Sequence, residues 1–270
     1  MTQPNKIIPI LSLLVSILVI ITSCTGILVP GFYARETLNW QAQSLGQDIF
    51  DLFLVTPVLM CAAFFVSRQN KNAMLVWAGT IMYLTYTFLI YCFDVHFNRL
   101  FPVYCVTLGL SSYMLLYFFY LQIKDPGVKT IENPLLIKTI GIYFLAIAGL
   151  FYFLWLSEII PAVIKNTIPE SLAEVGLPTN AVHVIDLSVF LPGIFIAGIL
   201  LLKKKPAGYL LAPVFLTFFI LMDITIGGLI VILNLRGLAT GLSVAVVMGI
   251  LAMISLILLV WSLKNIKAVF

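Results

Sequence analysis

The chain has 270 residues, of which 62% are hydrophobic and only 10% charged, with a mean hydropathy of +1.13 and a formal net charge of +4. A soluble domain carries about a quarter charged residues, so a water-facing globular enzyme is excluded, and so is disorder, which needs the opposite composition. The basic residues form no run beyond Lys203-Lys204-Lys205, so nucleic-acid binding has no electrostatic footprint.

An apolar stretch of about 18 or more residues reads as a membrane-spanning helix. Eight are present, predicting an all-α integral membrane protein, one polytopic domain over 1–270 built as an eight-helix bundle. Stretches 7–29, 73–93, 100–123, 139–157 and 237–263 are uncharged, whereas 48–67, 182–202 and 207–235 carry acids. Within the first span, Ile21-Thr22-Ser23-Cys24 resembles the lipobox of bacterial lipoproteins. Apolar chain continues through Ile27-Leu28-Val29, where a cleaved leader would turn polar, so a retained helix is expected. Cys92 and Cys105 flank the turn between the third and fourth spans and are read as packing thiols, with a disulfide as the alternative.

With the amino terminus inside, eleven of the fifteen basic residues face the cytoplasm, and only Arg35, Arg99, Lys165 and Arg236 face out. This bias predicts a multi-pass plasma (inner) membrane protein with both termini cytoplasmic. Trp77 and Trp261 near the inner boundary and Trp155 near the outer one read as interfacial belts. Most acids and both histidines map to the outer side, so chemistry is expected there. The longest outer loop, about 158–182, contains Pro169-Glu170-Ser171-Leu172-Ala173-Glu174-Val175-Gly176, which predicts one short surface helix, read as a connector rather than a lid.

The second span reads Asp48-Ile49-Phe50-Asp51-Leu52-Phe53-Leu54-Val55-Thr56-Pro57 and the sixth His183-Val184-Ile185-Asp186-Leu187-Ser188-Val189-Phe190-Leu191-Pro192. The offset is 186 − 51 = 135 residues, half the chain, and Pro57/Pro192, Ala62/Ala197 and Arg68/Lys203 keep it. Halves 1–135 and 136–270 with four spans each would be parallel repeats about an axis along the membrane normal. Eight of the eleven tyrosines precede residue 135, which leans any polar pocket towards the third and fourth spans.

Unpaired N–H groups at helix starts favour capping side chains. Asn98, Asn180 and Thr240 are read as caps and Asp48 as completing a first turn. Asp186, six residues past Asn180, is about 9 Å along the helix and beyond a cap's reach. Asp223 is deeper still. Acids at such depth are functional candidates unless a neighbouring helix simply binds them. Asp48 and Asp51 share a face at i, i+3, as do His183 and Asp186. Each pair precedes a proline that frees a carbonyl, at Phe53 and Ser188, and so breaks the helix.

The candidate ligand or ion site is therefore Asp48, Asp51, His183, Asp186 and Asp223, with Asp94, His96 and Asn98 from the outer turn. No cofactor follows firmly. His96, His183, Asp48 and Asp186 offer the donor types of a divalent metal, although no motif spacing fixes them. Three functions compete. A carrier would bind a small solute or cation from outside, with proton coupling open to it. An intramembrane enzyme would act on a lipid or lipid-linked substrate, and a scaffold subunit would use Gly241, Ala245 and Gly249 as a close-packing helix face. The bilayer is the expected partner throughout.

Overall fold

The computed structural model describes residues 7–124, 129–238 and 241–268. Thr240, Lys6 and Asp125, used above as a cap and in the charge balance, lie outside the described residues, as do the side chains of Lys129 and Lys267. Eight helices are long and apolar enough to cross a membrane: α1 (Ile7–Leu28), α2 (Leu38–Ser67), α3 (Lys71–Phe93), α4 (Phe101–Lys124), α5 (Pro134–Lys165), α7 (Ala181–Leu202), α8 (Pro206–Leu235) and α9 (Ser243–Asn265). The short α6 (Glu170–Val175) precedes α7. The chain is a multi-pass helical membrane protein. Backbone groups in lipid must be satisfied within the segment, which selects helices, and large apolar side chains such as Ile10, Phe64, Phe153 and Ile250 cover the outside of the bundle.

Helix starts are chemically marked. Asn70 accepts from Asn72 and Ala73 N–H ahead of α3, and Asn133 from Leu135 and Leu136 N–H ahead of α5. Asn180 caps α7 as expected, accepting from Val182 and His183 N–H. Asn98 instead sits in the turn before α4, with its Oδ1 on Leu100 N–H. α2 begins ten residues before its apolar stretch, with Thr37 as its cap. Asp48 therefore lies well inside the helix rather than in its first turn. α6 ends at Gly176, whose φ of +71° is the left-handed stop that favours glycine.

α3 and α8 form the centre. α3 packs on α2, α4, α7 and α8, and α8 packs on α2, α3, α7 and α9. They approach closely at Gly79, where a Cβ would fall 2.5 Å from both Val214 O and Thr217 Cβ. Around this pair, α1 lies on α2 and α4, while α5 lies on α7 and touches α9 only sparingly. Trp77 departs from the interfacial reading: it is fully buried and donates to Ser12 Oγ at 2.8 Å. Two strands absent from the sequence reading, β1 (Lys129–Ile131) and β2 (Ile266–Ala268), pair antiparallel and tie the carboxyl-terminal end to the α4–α5 connection.

The helix-face expectation for Gly241, Ala245 and Gly249 changes. Gly241 precedes α9 in a loop at φ +108°, Ala245 lies against Gly227 of α8, and Gly249 has open space around it. The three do not form one packed stripe.

Candidate functional site

Both prolines are accommodated without breaking their helices. Asp51–Val55 and Asp186–Phe190 are π-helical turns, in which Thr56 N–H reaches back to Asp51 O and Leu191 N–H to Asp186 O. Widening the turn absorbs the N–H that proline lacks. The two π segments start 135 residues apart, each at a candidate aspartate.

The acids of α2 are closed in. Asp48 is fully buried, and Tyr33 and Tyr91 hydroxyls each donate to it at 2.7 Å. A Cβ on Gly26 would stand 1.8 Å from Asp48 Oδ2, so only glycine fits there. Asp51 accepts from Gln47 Nε2 at 2.9 Å and from Tyr83 OH at 3.1 Å, and Tyr83 also bonds Thr225 on α8. Each of the side chains named here has a partner, which is the condition under which buried polar groups add stability rather than cost.

The acids of α7 and α8 are placed differently. Asp186 accepts from Tyr86 OH at 3.0 Å and Trp155 Nε1 at 2.8 Å, and it opens on a cavity of about 210 Å³. Asp223 lines the same cavity; it is only 7% exposed and has no hydrogen-bond donor among the described residues. α3, α5, α7, α8 and α9 supply the wall, in the gap where α5 and α9 stand apart. At one end Tyr143 OH and Ser255 Oγ join these two helices at 2.9 Å. Towards the loop end, Leu154 and Val244 are about half exposed (47% and 46%) and form the rim.

The structure thus brings Asp186 together with Asp223 around one cavity, and Asp51 does not line it. His183 packs against Trp155 with its ring tilted by 51° and centroids 4.6 Å apart, outside the lining. Trp155, read from sequence as an interfacial anchor, also forms part of the wall. His96 belongs to the loop end: its N–H donates to Glu36 Oε1 at 2.8 Å, and its Nδ1 lies 2.7 Å from Glu36 Oε2. The proposed metal set of His96, His183, Asp48 and Asp186 does not assemble, and among the described residues no three His, Cys, Asp or Glu side chains group as metal ligands. Cys92 and Cys105 are free thiols. α6 lies against α2 and lines no part of the cavity, as a connector would.

Asp94 is buried past the end of α3 and accepts Ala181 N–H at 2.9 Å, so it supplies the first amide of α7 with a partner. Trp40 Nε1 donates to its carbonyl at 2.7 Å. Burial raises the Asp94 carboxyl to about 6, against a smaller downward pull from the Ala181 amide. A raised folded-state value favours the fold below the ordinary carboxylate range near 3.9 and loses that contribution as pH rises through about 6. The difference in melting temperature between wild type and Asp94→Asn in detergent is therefore expected to shift against wild type from pH 4 to pH 7. A pH-independent difference would remove Asp94 as its source.

Gln47, Tyr83, Tyr86, Trp155 and Thr225 escaped the sequence reading. The tyrosine skew leaned any polar pocket towards the third and fourth spans, yet among the described residues the cavity takes only Tyr86 from α3 and nothing from α4, whose Tyr113 and Tyr120 face outward (74% and 54% exposed). Comparison with known proteins gave no match: no protein family, no curated protein and no solved structure resembles this chain.

Proposed function

We propose that this protein is a carrier for a small solute, with the Asp186–Asp223 cavity as its binding site. The observation that carries this reading is Asp223, a carboxyl more than nine-tenths buried, without a donor among the described residues, lining a hollow that a second acid, Asp186, also lines. A charge at membrane depth is costly by at least about 2.5–3.5 kcal/mol and persists where it lines a path or a site. In this reading the loop end, with the cavity rim, faces outside and both termini lie in the cytoplasm of a cell with this protein in its plasma membrane.

The carrier is built from two parallel halves. Supporting this are the paired π turns and the contact between Gly79 and Val214, positions 214 − 79 = 135 residues apart. Residues on a two-fold axis meet their own equivalents in this way. The halves have diverged: in the first, α1 closes on α4 and tyrosines hold both acids, while in the second the same place is open. Rocking about the α3–α8 contact would expose the cavity to each side in turn.

The test needs no ligand. With Cys24, Cys61, Cys92 and Cys105 replaced by serine or alanine, Ile194→Cys places a thiol deep in the cavity wall. An impermeant thiol reagent is expected to label it from both faces of oriented vesicles, from the cytoplasmic face at a slower rate. Labelling from one face only, at every pH tried, would sink the carrier and leave a one-sided receptor or scaffold.

A further inference from the structure

Building on the cavity as a solute site, we infer that its ligand is an organic cation: a small amine or quaternary ammonium compound bearing an apolar or aromatic group. Three properties of the wall lead there. It contains two carboxyls, and among the described residues no Lys, Arg or His contributes to it, so an anion would meet only like charge. Much of the rest is aromatic. Tyr86, Phe190 and Phe218 form one cluster, with ring centroids 4.8–5.6 Å apart, and Phe151 and Trp155 pack at 6.1 Å on another part of the wall. Aromatic faces attract a desolvated cation by about 2 kcal/mol, and cages of this composition take quaternary ammonium groups. Finally, the two acids are unequal. Asp186 is already held by Tyr86 and Trp155, which fixes it as part of the wall. Asp223 has no donor among the described residues, so it is the carboxyl left free to take a cationic guest as its counter-charge.

The size suits a compact molecule. At about 210 Å³ the hollow is several times the roughly 30 Å³ share of one water and smaller than the roughly 300–1,000 Å³ pockets that take drug-sized ligands. A bare metal ion would leave the aromatic surface unused. The ammonium group belongs beside Asp223, and the apolar substituent lies against the rings towards the Leu154–Val244 rim.

The probe is benzyltrimethylammonium, whose charge does not titrate, compared with its neutral isostere neopentylbenzene and with the anion 3-phenylpropanoate. Binding to the purified full chain is followed by calorimetry and by tryptophan emission, with Trp155→Phe assigning the emission change to the indole in the wall. The cation is expected to bind saturably, and the neutral and anionic probes about 30-fold or more weakly, the scale of leaving a buried charge unpaired. Asp223→Asn should weaken the cation about 30-fold and leave the neutral isostere unchanged, whereas Glu174→Gln on the surface helix alters neither. Equal affinity for the isostere in the wild-type protein, or a preference for the anion, would overturn the cation assignment without needing any variant to fold. That failure is separable from failure of the carrier. Two-sided labelling of Ile194→Cys with no cation preference keeps the carrier and removes the ligand class; one-sided labelling with intact cation selectivity does the reverse.

Discussion

Gly79→Leu is expected to cost about 3 kcal/mol or more, because overpacking a tight interface forces the backbone to move. At this position a Cβ already falls 2.5 Å from the Val214 carbonyl oxygen and from Thr217 Cβ, and neither is the free end of a flexible side chain. Without a hydrophobic drive between helices in lipid, close approach at small residues is a main source of their attraction. The α3–α8 contact links the two halves, so its loss is felt across the bundle. Thermal unfolding in detergent should show a drop of several degrees or more, while Gly109→Leu on α4, where a Cβ has nothing within 4 Å, should melt like wild type. Equal melting of both variants would mean that the central pair does not hold the bundle together.

The second large effect is expected from Asp48→Leu. The substitution removes the acceptor of two buried hydroxyls, Tyr33 on the α1–α2 loop and Tyr91 on α3. Each stranded group costs about 1–3 kcal/mol, so a combined loss of about 3 kcal/mol is expected. Asp48→Asn keeps an acceptor oxygen and should lose roughly half as much or less. Because Tyr33 sits in the loop, hydrogen exchange of the 29–37 segment should quicken in Asp48→Leu more than in Asp48→Asn. Burial and the neighbouring Asp48 both push the Tyr33 phenol well above its ordinary range, so it remains a donor at any working pH. If the two variants unfold alike, the hydrogen bonds are not what Asp48 contributes.

How far the fold was legible follows from what lipid demands. Eight apolar runs of span length can only be helices, and all eight are helices. The first ten residues of α2 were missed because Thr37 to Gln47 read as polar loop. They are helical because polar side chains among them turn inward: Ser44 is buried, and Gln47 reaches Tyr83. Asp51 and Asp186 stood out because an acid and a proline recur at one spacing, a pattern that lies along the chain. The pairing of Asp186 with Asp223 did not, since two helices must be docked before either wall exists. The tyrosines that hold Asp48, Asp51 and Asp186 were hidden for the same reason: a hydroxyl donor on another helix leaves no trace in local spacing. Trp77 misled because an indole near a span end has two homes, the interface or a serine inside the bundle, and Ser12 decided for the second.

The π turns also store a residue. Deleting one position from 51–55 or from 186–190 would let the segment relax to an ordinary α-helix. The part of the helix nearer the loops would keep its facing, because a π turn spends its extra residue within itself: its five residues cover about the rotation that four cover in an α-helix. In α2 Asp48 would still meet Tyr33 and Tyr91, and in α7 the Asn180-capped end would still meet the Asp94 carboxylate that receives the Ala181 amide. A one-residue deletion, ordinarily tolerated best in loops, would thus be absorbed at these two turns, whereas the same deletion in the ordinary helix beside them would rotate the outer segment by about 100° and dial its polar face out towards the hydrocarbon.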